Sequence, residues 1–201
     1  MNEQALVTDA LNGDLDAFNR LVMAYQNIAF NLAFRMLGDP FQAEDATQDA
    51  FLSAYRHLKD YRGGSFKAWV MRMVTNSCYD ELRKAKRRPT TPLEPVVDQE
   101  EIESPAWLAD DQLSPEERAE QAELDHAIQH CLQTLSPDFR SVVILVDMNG
   151  MDYDEVASST SSPLGTIKSR LARARLKMQD CLQGFGELLP SIFRQEMEDA
   201  G

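Results

Sequence analysis

Apolar side chains recur every three or four residues over most of this chain, a spacing that predicts amphipathic α-helices. Three such stretches lie in the N-terminal part: 14–37, a second that opens at Asp39-Pro40, and a third that runs from Ser65 to Pro89. Gly38 supplies a stop after the first. In the second, the residues expected to face inward are Phe41, Ala46, Ala50, Phe51, Ala54 and Leu58.

The C-terminal part of the chain carries several helix-start signals. Ser114-Pro115-Glu116-Glu117 and Asp152-Tyr153-Asp154-Glu155 are predicted capping boxes, and Ser136-Pro137 opens a helix that Asn149-Gly150 ends. After a turn over 158–162, Ser162 is the predicted N-cap and Pro163 the first residue of a helix that reaches Met178. Its predicted buried stripe is Leu164, Ile167, Leu171, Ala174 and Met178. Medium helix, short helix, turn and longer basic helix is the order typical of a helix-turn-helix module.

These patterns predict an all-α protein built from two small helical modules. Between them, 90–113 is rich in proline and carboxylates and is expected to be a flexible acidic linker. With 201 residues and 43% hydrophobic content, the chain has enough apolar side chains for two small cores. The tail over 184–201 can form an amphipathic helix that folds back on the body or binds a partner.

Charge is unevenly spread along a chain whose formal net charge is −13. Residues 61–90 carry eight basic and two acidic side chains, and 163–178 carry five basic and no acidic ones, whereas 91–125 carry twelve acidic side chains. Phosphate neutralisation supplies most non-specific nucleic-acid affinity, so an acidic protein is expected to bind free DNA weakly. A further partner is therefore expected to bring the two basic segments to DNA.

Several features allow two interpretations on the residues alone. The basic helix is either a DNA-recognition helix or an ordinary solvated face. The acidic cluster Glu44, Asp45, Gln48 and Asp49 is either solvated or a docking face for a basic partner. Phe66 and Trp69 lie among basic residues, and are either core residues or rings that stack on unpaired bases.

The cysteines and histidines give little support to a metal or redox centre. Cys78, Cys131 and Cys181 lack C-x-x-C pairing, which argues against a disulfide framework or zinc site and fits a reducing compartment. His126 and His130 have a metal-ligand spacing, but neither an H-E-x-x-H signature nor a distant fourth ligand supports one. We therefore predict neither a metal nor another cofactor.

The remaining exclusions concern enzymes and membranes. The chain lacks a P-loop and a G-x-S-x-G elbow, so it is not expected to be an enzyme. Its longest apolar runs are about five residues, too short to span a membrane, and Met1-Asn2-Glu3-Gln4 does not begin a signal peptide. A cytoplasmic location is expected.

Five segments together resemble the extracytoplasmic-function sigma factors, the small two-domain initiation subunits of bacterial RNA polymerase. They are 45–51, 61–69, 72–76, 153–157 and 163–175, and the resemblance covers nearly the whole chain. It implies that residues 1–89 form sigma region 2, which docks on the polymerase clamp helices and recognises and melts the −10 element. It also implies that 114–183 form sigma region 4, which lies at the polymerase flap and recognises the −35 element.

The resemblance also implies roles for individual residues. Those matching polymerase-facing positions are Asp45, Gln48 and Asp49. Those implied in binding −10 DNA, around a loop that holds a flipped base, are Tyr61, Arg62, Gly63, Gly64, Ser65, Lys67, Arg72, Asn76 and Asp80. Those implied at the −35 element are Lys168, Ser169, Ala172 and Arg173 at bases, with Gly165, Thr166, Arg170, Arg175 and Lys177 at phosphates or in support.

Partners follow from the same resemblance: core RNA polymerase, promoter DNA in duplex and single-stranded form, and an anti-sigma factor within a stress response. The chain departs from the family at the turn before the basic helix, where Thr160-Ser161 stands in place of a Leu-Gly pair. The alternative is a stand-alone helix-turn-helix transcription regulator that binds an operator without joining polymerase.

Overall fold

The computed structural model describes residues 2–87 and 114–186, so the predicted linker over 90–113 and most of the predicted tail lie outside them. The described residues form α-helices with no strand, which confirms the all-α prediction. The helices are α1 (Glu3–Leu11), α2 (Leu15–Leu37), α3 (Pro40–Arg56), α4 (Phe66–Arg87), α5 (Pro115–Thr134), α6 (Pro137–Val143), α7 (Tyr153–Ser159) and α8 (Leu164–Gln183). We call 2–87 the first module and 114–186 the second module.

The predicted ends of α2 and α3 are confirmed. Gly38 closes α2 with φ +79°, a left-handed conformation that glycine adopts without a steric penalty, and its N–H binds the carbonyl of Phe34. Asp39 then caps α3 through the backbone N–H of Gln42. The helix α1, which was not predicted, is capped by Asn2 and packs Leu6, Val7 and Ala10 into the core.

The prediction that Phe41 faces inward is wrong, since this side chain is 78% exposed. The buried stripe of α3 is made of small residues, Ala43, Ala46, Ala50 and Ala54. Phe41 lies two positions before Ala43, which places it about 200° around the helix axis from that stripe. The core of the first module is therefore filled mainly from α2 and α4.

In the second module both predicted capping boxes are present, Ser114 with Glu117 before α5 and Asp152 with Glu155 before α7. The helix α6 continues into a π-helical turn, Ile144–Met148, and Val142 and Leu145 are both buried in the core. The N–H of Asn149 then binds the carbonyl of Ile144 and ends the segment.

The start of α8 differs from the prediction by one residue. Pro163, with extended backbone angles of φ −60° and ψ 144°, is the N-cap, and the helix begins at Leu164. Ser162 is not the cap, because its hydroxyl donates to the carbonyl of Thr160 and accepts from Arg170. The helix also continues past Met178 to Gln183.

The expectation of three isolated thiols is wrong for two of them. Cys131 on α5 and Cys181 on α8 form a disulfide with their Cα atoms 5.7 Å apart, while Cys78 is a buried free thiol. Fifty residues separate the two cysteines in sequence, and only the packing of α8 against α5 brings them together.

The two modules pack against each other through a shared buried core, and we call this the closed arrangement. Arg140 on α6 is 5% exposed and lies at its centre, with its guanidinium donating to the carbonyls of Leu132, Gln133, Leu135 and, across the interface, Met36. Burial lowers the pKa of this guanidinium. None of the helices in the described ranges has the length and apolar character needed to cross a membrane.

Candidate nucleic-acid interface

The predicted base-holding loop over 61–65 connects the 3₁₀ turn Leu58–Asp60 to α4. Gly63 and Gly64 have φ values of +90° and +94°, angles that other residues rarely adopt, so the turn requires glycine. The hydroxyl of Tyr61 donates to the carbonyl of Gly64 at 2.7 Å and closes the loop. Ser65 caps α4 through the N–H of Ala68 at 3.1 Å.

An aromatic cluster connects this loop to the start of α4. Tyr61, Phe66 and Trp69 lie with their ring centroids 5.5–5.6 Å apart. Phe66 is 1% exposed and is a core residue, while Trp69 is half-buried against the core. Burial, followed by the charge of Glu3, raises the pKa of the Tyr61 hydroxyl, which therefore stays a neutral donor to Gly64.

Two cationic residues predicted to bind −10 DNA contact the second module. The ammonium of Lys67 donates to the carbonyl of Asn149 at 2.6 Å, and the guanidinium of Arg72 reaches the hydroxyl of Ser161 at 3.4 Å. Nearby, the hydroxyl of Ser159 donates to the carbonyl of Ala68 at 3.2 Å. The second module therefore covers the start of α4 in the closed arrangement.

Farther along α4, Asn76 and Asp80 are exposed. Asp80 pairs with Arg83 at 3.0 Å, and both line an open groove of about 330 Å³ between α3 and α4. Asp49 lines the same groove from α3, so one of the residues predicted to face polymerase lies beside one predicted to contact DNA. The last turn of α4 adds the positive charges of Lys84, Lys86 and Arg87.

The acidic face of α3 (Asp45, Gln48 and Asp49) is exposed along its whole length. Large apolar side chains continue the same exposed surface: Phe41 is 78% exposed, Leu52 47% and Tyr55 48%. Positions 41, 45, 48, 52 and 55 recur at helical spacing and form one stripe, which we call the α3 stripe. An exposed apolar stripe flanked by carboxylates is typical of a protein-docking surface.

In the second module, α8 has a buried apolar face and an exposed basic face, as predicted. Ile167, Leu171 and Ala174 are buried, and Leu164 and Met178 are half-buried, which confirms the apolar stripe. The predicted base-facing residues Lys168, Ser169, Ala172 and Arg173 are all exposed, as are Gly165, Arg175 and Lys177, whereas Thr166 and Arg170 are half-buried. The ammonium of Lys168 also lies 5.9 Å from the ring centroid of Tyr153.

The cations of α8 divide into two groups. Arg170 pairs with Asp138 at 2.8 Å and Arg175 with Asp147 at 2.5 Å, so both brace α8 against the rest of its own module. Hydrogen bonding to Asp147 raises the pKa of Arg175. Arg173 and Lys177 are exposed and form no ion pair with any residue of 2–87 or 114–186.

The turn before α8 is unusual at the position where the sequence departs from the family. Ser161 has φ +51°, the single non-glycine residue with a positive φ in the described part of the chain. This left-handed conformation costs a residue with a Cβ about 1–2 kcal/mol. The turn therefore keeps the backbone shape of a glycine turn while carrying a side chain that contacts Arg72.

Sequence reasoning missed the contacts that hold the modules together. Arg35 pairs with Asp125 at 3.0 Å, and Gln129 and Gln133 donate to the carbonyls of Phe34 and Arg35 at 3.2 Å each. Tyr79 on α4 binds Asp138 and Ser141 on α6. The one available signal was Arg140, a charged residue inside the apolar segment 139–146.

Within 2–87 and 114–186, the two histidines of α5 are not grouped with other residues that could bind a metal. The ring of His130 contacts Phe185, with centroids 5.6 Å apart. Across the described ranges, no three His, Cys, Asp or Glu side chains are arranged to hold a metal ion.

Two family models match the chain, Sigma-70 region 2 over 21–88 and Sigma-70, region 4 over 125–178. The chain is 34% identical over 182 residues to the RNA polymerase sigma-H factor of Pseudomonas aeruginosa, covering 90% of this chain and 94% of that protein. It is 32% identical over 186 residues to the ECF RNA polymerase sigma-E factor of Escherichia coli K12, covering 91% and 95%.

Two solved structures share the fold. CnrH in complex with the cytosolic domain of CnrY has a TM-score of 0.65 at 24% identity, with 90% of this chain and 97% of that chain covered. The sigma factor RpoE of Bartonella quintana, in complex with the anti-sigma factor NepR, has a TM-score of 0.63 at 24% identity, with 84% and 98% covered.

Proposed function

Because this chain belongs to the extracytoplasmic-function sigma factors and directs promoter-specific transcription initiation by RNA polymerase, we propose that the closed arrangement is its inactive form. In this proposal polymerase separates the two modules. The first module then binds the −10 element with the loop over 61–65 and the start of α4, and the second recognises the −35 element with α8.

The observation that carries this proposal is the position of Lys67 and Arg72. Both are cations of the −10 surface, and both are held by the second module in the closed arrangement. While the second module lies against the start of α4, the Lys67 ammonium is half-buried and occupied by the carbonyl of Asn149, whereas Arg72 is exposed and contacts Ser161. Opening frees these cations, which together with the basic end of α4 form a positive track for a single strand.

We assign polymerase docking to the α3 stripe. Asp45 in this stripe and Asp49 beside it suit a basic partner surface, and the exposed Phe41, Leu52 and Tyr55 supply the apolar contact area that a stable interface needs. The net charge of −13 disfavours binding to free DNA. Docking through α3 therefore comes first and presents both basic surfaces to the promoter.

In the second module, Arg173 is assigned to a base edge and Lys177 to a phosphate. Both are exposed on α8, whereas Arg170 and Arg175 are paired with carboxylates and act as support. An arginine that reaches a guanine edge can distinguish one base pair from another. A lysine that contacts a phosphate contributes the same affinity whatever the DNA sequence.

An anti-sigma factor is a proposed partner, which would hold the modules in an inactive state. Because polymerase and its promoters are in the cytoplasm, the protein is proposed to act there. The alternative of a stand-alone regulator is not favoured, since the chain matches sigma factors over about nine tenths of its length. Sigma factors as a family are generally not enzymes.

Run-off transcription with purified core polymerase on a random promoter library tests the proposal and identifies the promoter. We expect enrichment of two spaced elements, and transcription that is lost in a variant carrying Asp45→Lys and Asp49→Lys. Placing like charges against a basic partner costs several kcal/mol, so core binding is expected to fall at least about tenfold.

Glu120→Lys is the matched control, because Glu120 is an exposed carboxylate on α5 outside the α3 stripe. Equal losses of core binding for Glu120→Lys and for the α3 variant would rule out α3 as the docking surface.

A further inference from the structure

We infer that Cys131 and Cys181 form a reversible thiol–disulfide switch, in which oxidation ties the recognition helix α8 to α5 and favours the closed arrangement. The two Cα atoms are 5.7 Å apart, within the range over which a disulfide forms without backbone movement. Only the folded second module brings them together, since 50 residues separate them along the chain.

The two cysteine residues differ in exposure. Cys131 is fully buried on α5, while Cys181 lies in the last turns of α8 and is partly exposed. A small thiol or disulfide in solution therefore reacts at Cys181. Exchange at an accessible sulfur with a buried partner is the arrangement that allows a disulfide to be opened without unfolding the core.

Cys78 provides an internal contrast. Its side chain is fully buried on α4, and burial together with the charge of Glu81 raises its pKa to about 12. Because the thiolate is the reactive form, Cys78 is expected to stay inert at neutral pH. Redox chemistry in this chain is thereby confined to the Cys131–Cys181 pair.

The position of α5 links this pair to module closure. Gln129 and Gln133, two residues on either side of Cys131, bind the carbonyls of Phe34 and Arg35 in α2. The helix α5 is therefore hydrogen-bonded to the first module and is covalently linked to α8 through the disulfide.

Closure also uses contacts on the far side of the second module, at Asn149 and Ser159. When the disulfide is intact, α5 and the rest of that module dock as one body, so both sets of contacts form together. When it is reduced, α5 can separate from α8, and the two sets can break one at a time. Oxidation is therefore expected to raise the closed population.

A glutathione-type thiol can reduce the Cys131–Cys181 disulfide in two steps. Its thiolate attacks Sγ of Cys181, forms a mixed disulfide and expels Cys131 as a thiolate, which takes up a proton. A second thiol then releases Cys181 as a thiol and leaves as the low-molecular-weight disulfide. The reverse reaction uses that disulfide as the two-electron oxidant.

The test uses the full chain equilibrated with defined ratios of reduced and oxidised glutathione, then alkylated and analysed by mass spectrometry. We expect one two-electron transition in the unmodified protein and in Cys78→Ser, and none in Cys181→Ser. Small-angle X-ray scattering of the same samples is expected to give a smaller radius of gyration for the oxidised form. Cys181→Ser is expected to match the reduced form under all conditions.

The effect on transcription rests on the proposed inactivity of the closed arrangement and is measured separately. Run-off transcription is expected to be lower for the oxidised form by about fivefold or more, the lower end of usual coupling between sites. The absence of a redox transition, or a transition that leaves the radius of gyration unchanged, would overturn the switch. A change in radius without a change in transcription supports the switch and contradicts the inactivity of the closed arrangement.

Discussion

The two basic surfaces of this protein are held in different ways. At the start of α4, Lys67 and Arg72 are bound by the other module. On α8, Arg170 and Arg175 are bound by carboxylates of their own module, while Arg173 and Lys177 remain exposed. Closure therefore engages two cations of one surface, while the other surface is braced within its own module.

This difference indicates which step of promoter binding depends on opening. Arg173 and Lys177 of α8 make no ion pair within 2–87 and 114–186, whereas Lys67 and Arg72 of α4 are engaged by the second module. Under the proposed function, strand opening at the −10 element uses the α4 surface, so closure is expected to affect melting more than duplex recognition. If polymerase separates the modules as proposed, the DNA-contact residues of the first module are expected to gain more exposure than those of the second.

Removing Arg140 is expected to have the largest effect on the closed arrangement, because this residue joins the two modules. Arg140→Leu removes the arginine donors from the carbonyls of Gln133, Leu135 and Met36, while the carbonyl of Leu132 keeps only the N–H of Leu135. We expect the free energy of unfolding to fall by about 3–5 kcal/mol, as measured by urea denaturation. Small-angle scattering at low denaturant is expected to show separated modules.

Arg118→Leu is the control for this substitution, since Arg118 is an exposed arginine on α5. A similar loss of stability in both variants would mean that the effect comes from the loss of a positive charge rather than from the buried hydrogen bonds.

A second prediction assigns different roles to the two exposed cations of α8, Arg173 and Lys177. Arg173→Ala is expected to lower discrimination between matched and mismatched −35 elements by about 1–3 kcal/mol. Lys177→Ala is expected to weaken binding to all DNA sequences by the same factor. It is also expected to reduce the slope of log affinity against log salt concentration by about one. Fluorescence anisotropy with polymerase holoenzyme at several salt concentrations measures both. Equal losses on matched and mismatched elements for Arg173→Ala would contradict its assignment to a base.

Features fixed by short segments of sequence could be predicted well. The caps at Asp39, Ser114 and Asp152 and the buried stripe of α8 depend on residues within a turn or two of each other. The start of α8 was misplaced by one residue, because Ser162 bonds to Thr160 and Arg170 instead of capping the helix. Phe41 was misplaced because its size suggested a core position, while the phase of the helix is set by the alanines of α3.

Features that depend on distant residues could not be predicted. Arg140 binds the carbonyl of a residue 104 positions away, and the cysteine pair spans 50 residues. Local periodicity carries no information about which helix faces which. For the same reason, the sequence identified Lys67 and Arg72 as candidate DNA contacts without indicating that the second module covers them.

The smallest expected effect lies at Ser161, where the two surfaces meet. Its φ of +51° strains any residue with a Cβ, and its hydroxyl also accepts a hydrogen bond from Arg72. Ser161→Ala removes the hydrogen bond and keeps the strain, whereas Ser161→Gly removes both. Glycine relieves about 1–2 kcal/mol of strain and loses about 0.5–1 kcal/mol in backbone entropy, so Ser161→Gly is expected to be more stable than Ser161→Ala by about 0.5–1 kcal/mol. Calorimetric unfolding of the two variants measures this difference, and equal stabilities would mean that the turn relaxes around an alanine without cost.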